Sequence, residues 1–315
     1  MIKKRKFLQI ISFARLHFGF LDLNKKNNKS FGGFGLTINK FKTILNIKNY
    51  HKLNIKGYET KRASFFVKKF CKKIKIKPNF YINIEKVTPQ HIGLGSGTQI
   101  ALAIGTGISK LKSLNLNTIE IAKIMGRGNR SLIGTKSFIN GGFIIDNKNK
   151  KEEDSFSKIK FPKEWKILLI QNESKGLFGL KEKESFKKLF KSKKKIKSIN
   201  NKIITNIYNS LTKKDFNTLS KSITKVQNYM GNFFYSEQGG KYSNKIISKI
   251  ITSLKKEKIL GYGQTSWGPT GFAFFDSYKK AKKIKFKLEK KFNDYNDIKF
   301  IICSGKNNGA NFKIK

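Results

Sequence analysis

The chain has 315 residues, 38% hydrophobic and 13% aromatic, enough for one large or two ordinary packed domains and too apolar for wholesale disorder. No apolar run reaches the roughly 18 residues that a membrane span needs. Its 68 Lys and Arg against 19 Asp and Glu give a formal net charge of +49, and its two cysteines, Cys71 and Cys303, support neither a disulfide framework nor a zinc site.

The basic start, MIKKRKFLQIISFARLHFGF, has the outline of a secretory signal. Arg15 and His17 interrupt its apolar run, and no small-residue cleavage site follows. It reads as a first strand, and the protein as cytoplasmic. Alternating apolar residues between turn signals predict strands over 8–13, 35–38, 43–47 and 80–86. Helices are expected over 59–73, from Thr98 to about Lys112, and over 119–125, the last capped by Asn117 or Thr118. An apolar strand at 142–146 precedes a polar, charged stretch at 148–154, the best candidate for a domain boundary. The second half opens with a strand at 166–170. A lysine-rich helical region follows over 181–225, with Phe186, Leu189, Phe190, Ile196, Ile199, Ile203 and Ile207 at helical spacing. A helix at 243–256, a strand at 271–276, a helix at 277–293 and a strand at 298–304 complete an α+β pattern, helices packed on largely antiparallel sheets.

The charge invites a nucleic-acid reading, but its kind argues against one. Only five of the basic residues are arginine (Arg5, Arg15, Arg62, Arg127 and Arg130), and lysine is spread along the whole chain. A joint excess of Lys, Asn, Ile and Phe is what an AT-rich coding sequence produces. Specific readers of nucleic acid favour arginine for bidentate contacts, and none of their motifs is present. A salt-sensitive affinity for polyanions would still follow.

The strongest local signal is PQHIGLGSGTQ at 89–99, after a predicted strand and at the start of an apolar helix. Gly93, Gly95 and Gly97 let the backbone approach an anion, helix N-terminal N–H groups point at it, and Ser96 and Thr98 add hydroxyl donors. A tight turn needing glycine for steric reasons alone is the competing account. Arginine usage is a second signal. In a chain that writes lysine nearly everywhere, Arg15, Arg127 and Arg130 fall inside motif-like segments, where a planar fork suits a bidentate grip on phosphate or carboxylate. His17, in alternation with Arg15, and His91 are donor candidates, or hydrogen-bonded core histidines.

The loop at 89–99 resembles the second motif of the GHMP kinase superfamily, and its GSGTQ ending looks like the β-ribofuranosylaminobenzene 5′-phosphate synthase branch. Three further segments agree in the same order. ARLHFGFLD at 14–22 is similar to that branch's opening motif. GRGNRSLIGT at 126–135, with Phe138 and GGFIID at 141–146, resembles its central segment GRGxRSGIGT…F…GGFIVD. GQTSWGPT at 263–270 resembles the third motif, GQSSWGPT, and FFYSEQGG at 233–240 is a weaker match. Leu132 stands where the pattern has Gly, Ile139 where it has an acid, and Thr265 where it has Ser. In mevalonate-type kinases of the superfamily an Asp base lies seven positions before the GG pair; here Gly134 holds that place.

The resemblance implies a two-domain GHMP-like α+β fold, residues 1–155 carrying the glycine loop and 156–315 forming the second domain. It implies transfer of phosphoribosyl from 5-phosphoribosyl 1-diphosphate to 4-aminobenzoate or 4-hydroxybenzoate, with release of CO₂ and diphosphate, toward tetrahydromethanopterin. Arg15, His17, Arg127 and Arg130 would be catalytic. Gly93, Gly95, Ser96, Gly97, Thr98 and Gln99 would hold the diphosphate, and Asp22, Ser131, Gly134, Thr135, Gln264 and Ser266 would contact substrate. Trp267 and Pro269 are expected as packing residues. Mg²⁺ would accompany the diphosphate, with no protein-held metal and no organic cofactor. A homodimer is the expected assembly, without a specific nucleic-acid or membrane partner. An ATP-dependent small-molecule kinase of the superfamily and a basic nucleic-acid-binding protein are the alternatives.

Overall fold

The structure, a computed structural model, describes residues 7–23, 31–147, 156–177, 179–191 and 199–315. Its elements run β1 (Leu8–Gly19), β2 (Gly33–Asn49), β3 (Asn54–Gly57), α1 (Thr60–Lys73), β4 (Phe80–Lys86), α2 (Ser96–Leu111), α3 (Thr118–Ile124), α4 (Ile133–Asn140) and β5 (Phe143–Asp146). Then come β6 (Phe156–Ile159), β7 (Lys166–Gln171), α5 (Gly179–Lys191), α6 (Asn201–Thr212), α7 (Phe216–Gln238), α8 (Lys245–Lys256), β8 (Tyr262–Gln264), β9 (Gly271–Phe275), α9 (Tyr278–Lys291), β10 (Lys299–Cys303) and β11 (Asn311–Ile314). The first sheet orders β11-β1-β2-β4-β3, with β5 added to β2 and β6 to β5; the second orders β10-β7-β9-β8. All pairings are antiparallel except β3 with β4.

Three apolar cores stack the layers. Ile10, Leu45, Ile47, Ile82 and Ile84 pack one side of the first sheet against α1, α2 and α3. Leu16, Phe18, Phe34 and Leu36 face Ile167, Leu169, Phe272 and Phe274 of the second sheet, with α5, α6 and α7 closing that core. Leu168, Ile170, Ala273 and Phe275 turn the other way, onto α8 and α9. The unbroken apolar run of β7 is thus explained by burial on both faces.

Two expected strands, 35–38 and 43–47, are one strand, β2. The polar stretch between them reads as a turn, but the chain bends instead of reversing: Phe41 takes φ 58, and pairing with β1 slips between Phe13 and Arg15. That bulge moves β1 from one core to the other, so that Ile10 belongs to the first and Leu16 to the second. The boundary stretch at 148–154 and Ile196 lie outside the described residues. The strands on either side of that stretch, β5 and β6, pair with each other, and β11 returns from the second half to pair with β1. The lysine-rich region is α5, α6 and the start of α7, which runs on to Gln238.

Candidate functional site

Four motif segments meet at one cleft. Gly93 and Gly95 sit at φ +80 and +81, a backbone region that favours glycine, and bring the chain round to the first turn of α2. Third-motif residues dock on this turn. Thr265 Oγ1 donates to the Gly93 carbonyl at 3.0 Å and accepts from the His17 N–H at 2.9 Å, tying β1, the glycine loop and the loop after β8 together. Threonine supplies the hydroxyl that serine would, so this departure keeps the contact. Leu132 has φ −87, which any residue adopts, so glycine is not required there.

Arginines cover the glycines. Arg15 Nη1 donates to the Gly93 carbonyl at 2.7 Å, and a Cβ on Gly95 would stand 3.1 Å from its Cζ. A Cβ on Gly97 would stand 2.4 Å from Arg62 Nη2 and 3.5 Å from both terminal nitrogens of Arg127. Two guanidinium groups therefore converge over the start of α2, whose own dipole is positive there. Burial pulls Arg15 down to about 10, against an opposing pull from Glu182. Burial and then the nearby Arg62 bring Arg127 down to about 10 as well. The Nε atoms of Arg15 and Arg127 are buried and make no hydrogen bond. Like charges packed this tightly and left with donors to spare are stabilised by an anion.

The cleft has a volume of about 340 Å³, inside the ligand-site range. Arg15, Arg127, Gly93, Gly95, Ser96, Gly97, Thr98 and Ser266 all line it. Arg62, His91, Glu182 and Trp267 line it too. Arg62 was legible in principle: the scarcity of arginine that marked its neighbours applied to it equally. Glu182 comes from the first turn of α5 and carried no sequence signal beyond a helix. Burial pushes its carboxyl up, while Arg130, a hydrogen bond from Trp267 and the field of Arg15 pull it back. Trp267 packs against Phe234, its ring tilted by 54° with centroids 4.3 Å apart, and also faces the cleft.

Other expected contacts stand behind this surface. Arg130 pairs with Glu182 and lies over the Phe186 ring at 4.3 Å, holding α5 across the cleft. His17 is buried beneath Arg15, its Nε2 3.0 Å from Ser131 Oγ. Burial and then Arg15 bring it down to about 3, so it is neutral. Gln99 Nε2 donates to the Gly134 carbonyl at 3.1 Å, across the α2–α4 crossing. A Cβ on Gly134 would stand 3.1 Å from Thr98 Cγ2, so this glycine allows the two helices to touch. Thr135 is buried at 1% exposure. Asp22, past the end of β1, donates its N–H to the Phe31 carbonyl and does not line the cleft. Gln264 spends both ends of its amide on the protein: Oε1 accepts from Ser243 N at 2.8 Å, and Nε2 donates to Gln238 Oε1 at 3.3 Å.

Known proteins resemble this chain in sequence and in fold. Residues 61–143 match the family model of the GHMP kinases N terminal domain. The beta-ribofuranosylphenol 5′-phosphate synthase of Methanocaldococcus jannaschii is 28% identical over 327 aligned positions, which cover 94% of this chain and 96% of that protein. The 4-diphosphocytidyl-2-C-methyl-D-erythritol kinase of Clostridium botulinum is 30% identical over 227 positions, 72% of this chain and 73% of the kinase. Among solved structures, the mevalonate diphosphate decarboxylase from Enterococcus faecalis superposes with a TM-score of 0.67 at 14% identity, over 98% of this chain and 99% of that one.

Proposed function

The chain belongs to the GHMP kinase superfamily, and we propose that within it this protein is a β-ribofuranosyl-aryl 5′-phosphate synthase, a phosphoribosyl-type transferase. It transfers the phosphoribosyl group of 5-phosphoribosyl 1-diphosphate to a 4-substituted benzoate and releases CO₂ and diphosphate. The relatives' names speak of a ribofuranosylphenol, which favours 4-hydroxybenzoate over 4-aminobenzoate. The product belongs to the route to tetrahydromethanopterin.

The observation that carries this reading is the set of three arginines over the glycine loop. As the bond from C1′ to the diphosphate oxygen breaks, negative charge collects on the leaving group. In this reading the backbone N–H groups of 95–97, the Ser96 and Thr98 hydroxyls, and the cleft-lining Arg15, Arg62 and Arg127 receive it. The ring carbon bearing the carboxylate bonds to C1′, and loss of CO₂ from that carbon restores aromaticity. No strong base is required. A kinase of the mevalonate type would need one, and the backbone of Gly134 is instead committed to a helix crossing. His17, Ser131 and Gln99 act from behind as positioning residues, and Arg130 positions Glu182.

Mg²⁺ fits as a companion of the diphosphate. The cleft offers one carboxylate, Glu182, already paired with Arg130, and among the described residues no trio of His, Cys, Asp or Glu forms a metal-binding group. In this reading the diphosphate oxygens hold the ion. Nor, among the described residues, is any helix long and apolar enough to cross a membrane.

The test is a direct assay. With phosphoribosyl diphosphate and each benzoate in turn, the protein should release equimolar diphosphate and CO₂. ADP formed from ATP and a small alcohol, with no diphosphate from phosphoribosyl diphosphate, would make it a kinase instead.

A further inference from the structure

Resting on the synthase reading above, we propose that Glu182 accepts the ribose hydroxyls of the phosphoribosyl donor, and so makes the cleft select a sugar diphosphate over a bare one. Glu182 is the only carboxylate among the described residues that line the cleft. The first turn of α5 carries it to a site whose other charged groups, Arg15, Arg62 and Arg127, are all cations.

A carboxylate in that place calls for an account on the ligand's side. The cleft draws anions by positive charge, and a negative group beside it opposes every phosphate that enters. Anchoring α5 does not require it. Phe186 is buried and meets Phe20, Phe234 and Trp267 edge-on, which seats the helix. Arg130 lies over the same ring at 4.3 Å and holds there without the carboxylate. The pair between Arg130 and Glu182 is partly open, with 24% of the Glu182 side chain exposed, and ion pairs of that kind add little to stability.

What the carboxylate adds to the cleft is acceptors. An ionised carboxylate offers about four acceptor sites. Arg130 donates to Oε1, and Trp267 donates a further hydrogen bond, so acceptor capacity remains on a side chain that faces the cleft. Ionised phosphate brings no donor to fill it; a hydroxyl does. The donor substrate carries both kinds of group in fixed order, diphosphate on C1′ and hydroxyls on C2′ and C3′. With its diphosphate on the glycine loop, those hydroxyls are the next polar groups to enter the cleft. Glu182 and Arg15 feel each other's charge, so the carboxylate stands beside the anion wall and not in a remote part of the site. Acidic side chains make the same contact with ribose hydroxyls in dinucleotide sites.

Calorimetric titration of the full chain in the presence of Mg²⁺ tests this with two probes. Glu182→Gln keeps the size of the side chain and an acceptor for Arg130, and removes the charge. The Kd for phosphoribosyl diphosphate should rise about tenfold, the factor a charged hydrogen bond is worth. The Kd for inorganic diphosphate should stay level or fall, which also shows that the variant is folded. Electrostatics alone gives the contrary result: phosphoribosyl diphosphate carries one phosphate more than diphosphate, and would gain more from losing a negative neighbour. Any other pattern overturns the assignment. Equal weakening of both probes would make Glu182 a prop for α5, and no weakening of either would make it a bystander. Weakening confined to 4-hydroxybenzoate, which also brings a hydroxyl, would assign it to the acceptor. If the wild-type chain forms no aryl riboside, the synthase reading fails separately. The split between the two probes still decides Glu182: its presence upholds the contact and its absence overturns it.

Discussion

Arg127 and Arg130 stand close in sequence and differ in what they touch. Arg127 faces the cleft beside Arg62, whereas Arg130 is paired with Glu182. Arg127→Lys keeps the charge and loses the fork, and should cost roughly 2–4 kcal/mol of transition-state stabilisation, a fall in kcat/KM of about 30- to 1,000-fold. The melting temperature should move little. Arg130→Lys should do the reverse in part, loosening α5 and lowering the melting temperature more than Arg127→Lys does. Steady-state kinetics and thermal melts on both variants separate the two roles. His17 yields a pH prediction. Its folded value is near 3 against 6.5 for the free side chain, because of burial and then Arg15. Below pH 6.5 the unfolded chain takes up a proton that the folded chain does not, so the stability from neutral His17 is full above pH 6.5 and is lost as pH falls toward 3. Between pH 7 and 5, wild type should lose about 2 kcal/mol more than His17→Gln, at about 1.4 kcal/mol per pH unit, as read by urea melts.

The glycine loop and the α2–α4 crossing show how backbone shape decides chemistry one scale up. Gly95 sits at φ +81, with Arg15 against the place where a side chain would go. Gly95→Ala should cost about 1–2 kcal/mol in backbone strain and displace the guanidinium. We expect KM for phosphoribosyl diphosphate to rise while the circular dichroism spectrum stays native. Unchanged affinity in that variant would leave the loop a steric turn only. At the crossing, Gly134→Asp installs the acid that the kinases carry. Its Cβ would press on Thr98, and overpacking of this kind costs about 1–3 kcal/mol. The variant should melt lower and still form no ADP from ATP.

For the molecule as a whole, the second half reaches back into the first. β11 zips along the edge of β1 from Leu8 with Ile314 to Ile11 with Asn311, and the backbone of Asn308 fills the space that a side chain on Gly141 would need. We propose residues 1–155 and 156–315 as the two folding units, with β6 and β11 belonging by pairing to the first sheet. Removing residues 305–315 exposes the β1 edge and should lower the melting temperature by about 5 °C or more. The charge of +49 also belongs to this scale. It is carried by lysines spread over the whole chain, so any DNA or RNA binding should weaken steeply with salt and show no sequence preference, as fluorescence anisotropy across salt concentrations would reveal.

Read from sequence alone, the elements with strong periodicity come through, because periodicity is local: 80–86 is β4 residue for residue, and α1, α3 and α8 lie within one or two residues of expectation. The motif at 89–99 already placed a glycine loop at a helix start, since alternate glycines before an apolar run mark that turn within a few residues. Short strands such as β3, β8 and β11 were not legible, because three or four residues carry no period and hold together only through their partners. The same limit applied to the site. Lining residues Arg62 and Glu182 come from α1 and α5, and only the fold brings those helices to the loop. Whether Arg130 faces substrate or Glu182, and whether His17 is charged, depends on burial and on neighbours distant in the chain. Residue type and local spacing determined what chemistry was available to this protein. Packing between distant segments decided which of those groups faces the cleft.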